Sequence, residues 1–139
     1  MEFASVADVR IIELPSHKRE DGELVVMEEG KALPYAAARV FTVRATENAV
    51  RGRHAHKRCN QFFVCVHGII DVECDDGANK ARFLLDAGNK ALFVPASIWA
   101  SETYKARDSI LAVLCDRVYE EDDYLRDYEQ FLAWRKGCS

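Results

Sequence analysis

Two of the four histidines in this chain, His54 and His56, sit two residues apart within Arg51-Gly52-Arg53-His54-Ala55-His56-Lys57. On a β-strand alternate side chains share a face, so both imidazoles would enter one space, roughly 7 Å apart along the strand. The run that follows, Gln61-Phe62-Phe63-Val64-Cys65-Val66, is short, aromatic and β-branched, which fits a strand. Paired imidazoles facing one cavity can hold a metal ion or move a proton near neutral pH. His17 and His67 fall in turn-like contexts and read as surface residues.

The elements that must position this pair read as many short strands. Residues 9–14, 23–27, 39–46, 69–74, 82–85, 91–94, 99–104 and 110–114 are apolar or alternating, with a polar turn over residues 16–22 and turns at His67-Gly68 and Asp75-Asp76-Gly77. Regular short strands predict an all-β sandwich or barrel over about residues 5–117. The tail differs. Asp122 or Asp123 can cap a helix, and Tyr124, Leu125, Tyr128, Phe131 and Leu132 recur at helical spacing, which predicts a helix over about residues 121–135 on the outside of the barrel. At 139 residues the chain suits one domain with one core, residues 1–139, and shows no repeat or linker.

Charge and cysteines narrow the function classes. A formal net charge of −4 argues against nucleic-acid binding through a general basic surface. Between residues 39 and 58, however, six cations (Arg39, Arg44, Arg51, Arg53, Lys57 and Arg58) stand against Glu47 alone. Strand alternation brings Arg39 toward the histidine pair, and Arg39 and Arg51 are candidates for holding a diphosphate through forked hydrogen bonds. Gln61 is a candidate polar contact and Trp99 a candidate stacking surface for a sugar face or a base. No apolar run approaches the roughly 20 residues of a membrane span, and the N-terminus has no export-signal pattern. Five cysteines, irregularly spaced and with no Cys-x-x-Cys pair, read as reduced core thiols. These features together predict a cytoplasmic protein with neither a membrane nor a nucleic-acid partner.

His54, His56, Gln61 and Gly68, followed by Gly88, Pro95 and Trp99-Ala100, resemble the two motifs of the cupins, small jelly-roll β-barrels. The metal set of that family would be His, His, Glu and His, whereas Gln61 and Ala100 occupy the last two positions here. Two of four ligands are missing, so the sequence predicts no bound metal and no cofactor. The resemblance sharpens with Arg51-Gly52-x-His54-Ala55-His56-Lys57, Val64-Cys65, Asp75-Asp76-Gly77 and Asp123-Tyr124-Leu125-Arg126-x-Tyr128, which look like the dTDP-sugar 3,4-ketoisomerases. That likeness runs from Leu33-Pro34 to the tail. It implies a metal-independent cupin jelly roll with a C-terminal α-helix, a dTDP-linked keto-deoxysugar as ligand, His54 and His56 as catalytic residues, and a role in deoxyamino-sugar biosynthesis for surface polysaccharides. It also implies a homodimer joined through N-terminal strands, with residues 24–27 as interface candidates. The chain departs from the family at Ala100, where a histidine is usual, and at Phe41 and Thr42, where tyrosines are common.

The reaction so implied needs particular chemistry. Shifting a carbonyl to the adjacent carbon requires a proton removed beside the ketone, an enediolate, and a proton delivered to the former carbonyl carbon. Histidine can serve as base and then acid, and a neighbouring cation or amide can steady the enolate charge. The alternative is a nucleotide-sugar-binding cupin that has lost catalysis and acts as a partner or regulator, a reading suggested by Ala100, Phe41 and Thr42.

Overall fold

Alternation is clearest in β10, Trp99–Tyr104, where Ala100, Glu102 and Tyr104 are buried while Trp99, Ser101 and Thr103 are only half-buried. Such a strand has one face in the core and one toward a covering layer. The computed structural model describes residues 2–86 and 88–137. Its strands are β1 (Arg10–Glu13), β2 (Ser16–Arg19), β3 (Gly22–Val25), β4 (Arg39–Arg44), β5 (Val50–His56) and β6 (Gln61–His67). They continue with β7 (Ile70–Asp75), β8 (Lys80–Leu85), β9 (Lys90–Val94), β10, β11 (Ile110–Cys115), β12 (Tyr124–Leu125) and a final helix α1 (Tyr128–Arg135).

Ten of these strands form two five-stranded sheets, ordered β1-β9-β6-β11-β4 and β12-β5-β10-β7-β8, and every pairing within them is antiparallel. This is the jelly-roll sandwich expected from the sequence, with the helix after it. The main core lies between the sheets and includes Phe63, Ile70, Val72, Leu92, Leu111 and Val113. A second cluster covers the outer face of the first sheet, where Leu14, Leu33, Phe62, Val64 and Leu114 pack under Val25, Met27 and Tyr35. A third, smaller cluster joins Ala55, Leu125 and Phe131 beneath α1. Fully burying Phe131 stabilises by roughly 2–3 kcal/mol, which an eight-residue helix needs because so short a helix is marginal alone.

Two element assignments differ from the sequence reading. The helix begins at Tyr128, capped by the Asp127 side chain accepting from Gln130 N at 3.0 Å, so residues 121–127 are not part of it. Instead Glu121–Asp123 is a turn of 3-10 helix, and Tyr124 and Leu125 pair with His56 and Ala55 at the edge of the second sheet. An aromatic-leucine pair fits a strand as well as a helical stripe, and the open edge of β5 decides between them. Residues 16–19 are likewise a strand rather than a turn, because Ser16–Arg19 pairs with Gly22–Val25 around Glu20-Asp21. An exposed two-stranded ribbon needs no apolar face and leaves little pattern to read. Of the apolar run 24–27, Leu24 is 61% exposed while Val25, Val26 and Met27 are half-buried.

Candidate active site

Between the sheets lies a cavity of about 180 Å³, and both sheets contribute to its wall. From the first sheet, the register stacks Arg39 and Gln61 on either side of Cys115, then Phe41 and Phe63 on either side of Val113, then Val43 beside Leu111. All of these but Cys115 line the cavity. The second sheet supplies Arg51, His54, Glu102, Tyr104 and Tyr124. An apolar floor with a few converging polar groups is the usual make-up of a small-molecule site, and this volume is on the scale of a sugar ring rather than a whole nucleotide sugar.

A kink in β5 sets the histidines. Gly52 and Arg53 both have positive φ, 83° and 57°, and the pairing of β5 with β10 slips there, so that Ala100 faces His54 but Ser101 faces Gly52. Such bulges re-aim side chains and recur next to active sites. The His54 and His56 rings lie 5.1 Å apart, centroid to centroid, and Tyr124 packs on both at 5.2 and 4.4 Å. His54 borders the cavity, while His56 lies behind it and is 6% exposed.

Asp123 orients His56. Its Oδ2 is 2.9 Å from His56 Nδ1, and its Oδ1 accepts from the Arg58 backbone N–H at 2.6 Å. Burial lowers the pKa of His56 in spite of the opposing hydrogen bond and charge of Asp123, so the imidazole is neutral and donates from Nδ1. Its Nε2 then carries the lone pair, and that atom is buried with no hydrogen-bond partner. His54 is pushed down to about 4, chiefly by burial and then by the neighbouring His56, with a hydrogen bond to the Gly52 carbonyl working the other way. Both rings are therefore neutral bases at physiological pH.

His56, Cys59 and Asp123 each place one ligand atom within 4.8 Å of the others, the spacing a metal would need. Both Asp123 oxygens are already engaged, by Arg58 N–H and His56 Nδ1, so binding an ion would dismantle the His56–Asp123 pair. The donor set fits a hydrogen-bonded dyad better than a metal centre. Beside it the Cys59 thiol donates to the Asn60 carbonyl at 3.4 Å, its closeness to Cys115 raises Cys59 and lowers Cys115, and Gln61 Nε2 approaches the Cys115 sulfur at 3.6 Å.

A model of the family described as FdtA: WxcM-like, C-terminal matches residues 7–136. The chain belongs to this family. It is 35% identical over 114 residues to the TDP-4-oxo-6-deoxy-alpha-D-glucose-3,4-oxoisomerase of Aneurinibacillus thermoaerophilus, covering 81% of this chain and 82% of that one. It also resembles a solved 3,4-ketoisomerase from Helicobacter canadensis, with TM-score 0.89 and 28% identity over 93% of this chain and 98% of the other. A sugar 3,4-ketoisomerase from Thermoanaerobacterium thermosaccharolyticum, solved in complex with TDP, superposes with TM-score 0.90 over 96% of this chain and 98% of the other. At 22% identity that last likeness speaks for the fold.

In this FdtA-family chain the cavity gathers His54, Arg39, Arg51 and Gln61, and leaves Trp99 out. Trp99 packs instead on Tyr128 and Phe131 of α1, at centroid distances of 5.2 and 5.6 Å. The phase of β10 explains the correction: Glu102 and Tyr104 point in, so Trp99 points out. Arg39 is held over Phe41 and Tyr119, with Nη1 3.4 Å from the Tyr124 hydroxyl. Phe41 lines the cavity, Thr42 is exposed outside it, and Ala100 is packed into the main core. Sequence reasoning missed Asp123, Tyr124, Glu102 and Tyr104. Glu102 did leave a signal, an acidic residue in phase with Ala100 and Tyr104 on an inward strand face. Asp123 stood out only as part of the tail motif, and nothing in it pointed to His56, which is 67 residues away. Cys59, Cys65, Cys74 and Cys115 are buried free thiols, and Cys138 lies outside the described residues.

Proposed function

We propose that this protein moves the keto group of a dTDP-4-keto-6-deoxyhexose from C4 to C3 by histidine-mediated proton transfer, as a step in deoxyamino-sugar biosynthesis. The observation that carries this reading is a neutral His54 on the cavity wall backed by the His56–Asp123 pair, whose Nε2 lone pair has no competing partner. These imidazoles take the proton from C3 and deliver one to C4, roles open to a group that is neutral at rest and can hold a proton briefly. Arg39 and the Gln61 amide face the same space and can steady the enolate charge. Arg51, exposed at the rim, suits a diphosphate lying outside a cavity that has room only for the sugar.

The names of the relatives support the substrate class. Homodimerisation and a cytoplasmic location go with this reading; no helix among the described residues is long and apolar enough to cross a membrane. The test is turnover of a dTDP-4-keto-6-deoxyhexose in deuterated water, followed by NMR. A 3-keto product carrying deuterium at C4, lost in His56→Asn and unaffected by chelators, is the expected result. Tight dTDP binding with no exchange of any carbon-bound proton would replace the isomerase by a silent binder.

A further inference from the structure

Glu102 is a buried carboxyl group that the carbon proton path leaves unused. It is 8% exposed and borders the same cavity as His54. The chain makes room for it at Gly52, where a Cβ would lie 2.2 Å from Glu102 Oε2. Gly52 precedes His54 by two residues on β5, and the Glu102 carboxyl group and the His54 imidazole both line the wall of the one cavity. The titratable groups around Glu102 and its cavity are Arg51 and His54 from β5, Cys74 from β7, Tyr104 from β10, Arg39 from β4 and Tyr124 from β12, while Val43 and Leu111 bring no charge. Burial pushes Glu102 up to about 8, against the pull of Arg51, so the group is a neutral acid at physiological pH. Next to it on the same face, the Tyr104 hydroxyl is buried without a partner.

We propose that Glu102 is the catalytic acid–base for the two substrate oxygens, an inference that rests on the ketoisomerase reading above. When His54 takes the C3 proton, the electrons of that bond form C3=C4 and the carbonyl pair moves onto O4, which takes the carboxyl proton of Glu102. The resulting carboxylate then accepts the proton of the C3 hydroxyl as C3=O forms, and the adjacent His54–His56 pair, having exchanged the captured proton with solvent, delivers one to C4. Glu102 ends protonated and His54 neutral, with no oxidant or reductant consumed. A carboxyl group suits this task because it carries a donor and an acceptor side by side, matched to two oxygens on adjacent carbons.

The experiment compares wild type with Glu102→Gln on a dTDP-4-keto-6-deoxyhexose from pH 5 to 10, with dTDP binding measured by calorimetry. The amide keeps the shape but cannot pass a proton. The expected result is a kcat at least 100-fold lower with KM and dTDP affinity within about threefold, a loss in the range typical of removed acid–base groups. Wild-type kcat/KM should fall above pH about 8, and the residual activity of the variant should lack that limb. A variant with more than a third of wild-type kcat overturns the proposal and leaves the ketoisomerase reading standing. A wild type inactive on this substrate overturns both. Should the variant fail to fold, the wild-type profile decides alone: a fall near pH 8 supports the role, and a flat profile to pH 10 removes it.

Discussion

Asp123→Asn separates the orientation of His56 from its mere presence. The backbone N–H of Arg58 is a fixed donor 2.6 Å from Asp123 Oδ1, so the amide oxygen of the variant must stay there. The amide nitrogen then faces His56 Nδ1, formerly 2.9 Å from a carboxylate oxygen. Two donors cannot share that contact, so His56 gives up its Nδ1 proton and carries it on Nε2 instead. The atom that held a free lone pair becomes a buried donor, and the base is lost although every ring stays in place. A charge-assisted hydrogen bond worth roughly 1.5–3 kcal/mol is exchanged for a neutral one worth roughly 0.5–1.5, a net cost of about 1–2 kcal/mol. For a domain of this size that lowers Tm by about 3–8 °C. The effect on turnover is far larger, roughly 10²–10⁴ in kcat, because the wrong tautomer cannot accept a proton. Thermal unfolding beside steady-state isomerisation measures both. A variant that keeps kcat within threefold of wild type would show that Asp123 only braces the loop, and that the proton path does not run through His56 Nε2.

Acid should destabilise the protein partly through His54. Its pKa is about 4 when folded and near 6.5 when unfolded, so the unfolded state binds more protons between these values and stability rises with pH across that window. The effect is on the order of 3 kcal/mol; His54→Asn should flatten the change in urea-unfolding free energy from pH 6.5 to 4, and parallel slopes would refute this. Phe131→Ala, which empties the cluster beneath α1, should cost about 3–5 kcal/mol and detach the helix, read as loss of amide protection over residues 124–135. Protection left unchanged there would mean that the helix docks by its polar contacts, such as Tyr128 to Asp75. In sedimentation at micromolar concentration the protein should run as a dimer, and Leu24→Lys, at an exposed apolar position, should shift it toward monomer. A wild type that sediments as a monomer would remove the interface assigned to residues 24–27.

What the sequence determined by itself was whatever alternation and local pairing control. Strands β4 to β11 could be read from their own residues, because a period of two and a turn signal are local facts. The His54–His56 pair was legible for the same reason, since two positions on one strand must share a face. Tertiary structure decided the rest. Tyr124 and Leu125 form a strand only because β5 has an open edge for them to cover. Trp99 turns to the helix and Glu102 to the cavity according to the phase of β10, and that phase is fixed by which face the other sheet buries. Asp123 reads as a helix cap until the fold returns it to His56, across 67 residues. Local residue types thus announce a proton-transfer pair, and long-range packing selects the carboxyl group that sets its tautomer and the one that shares its cavity.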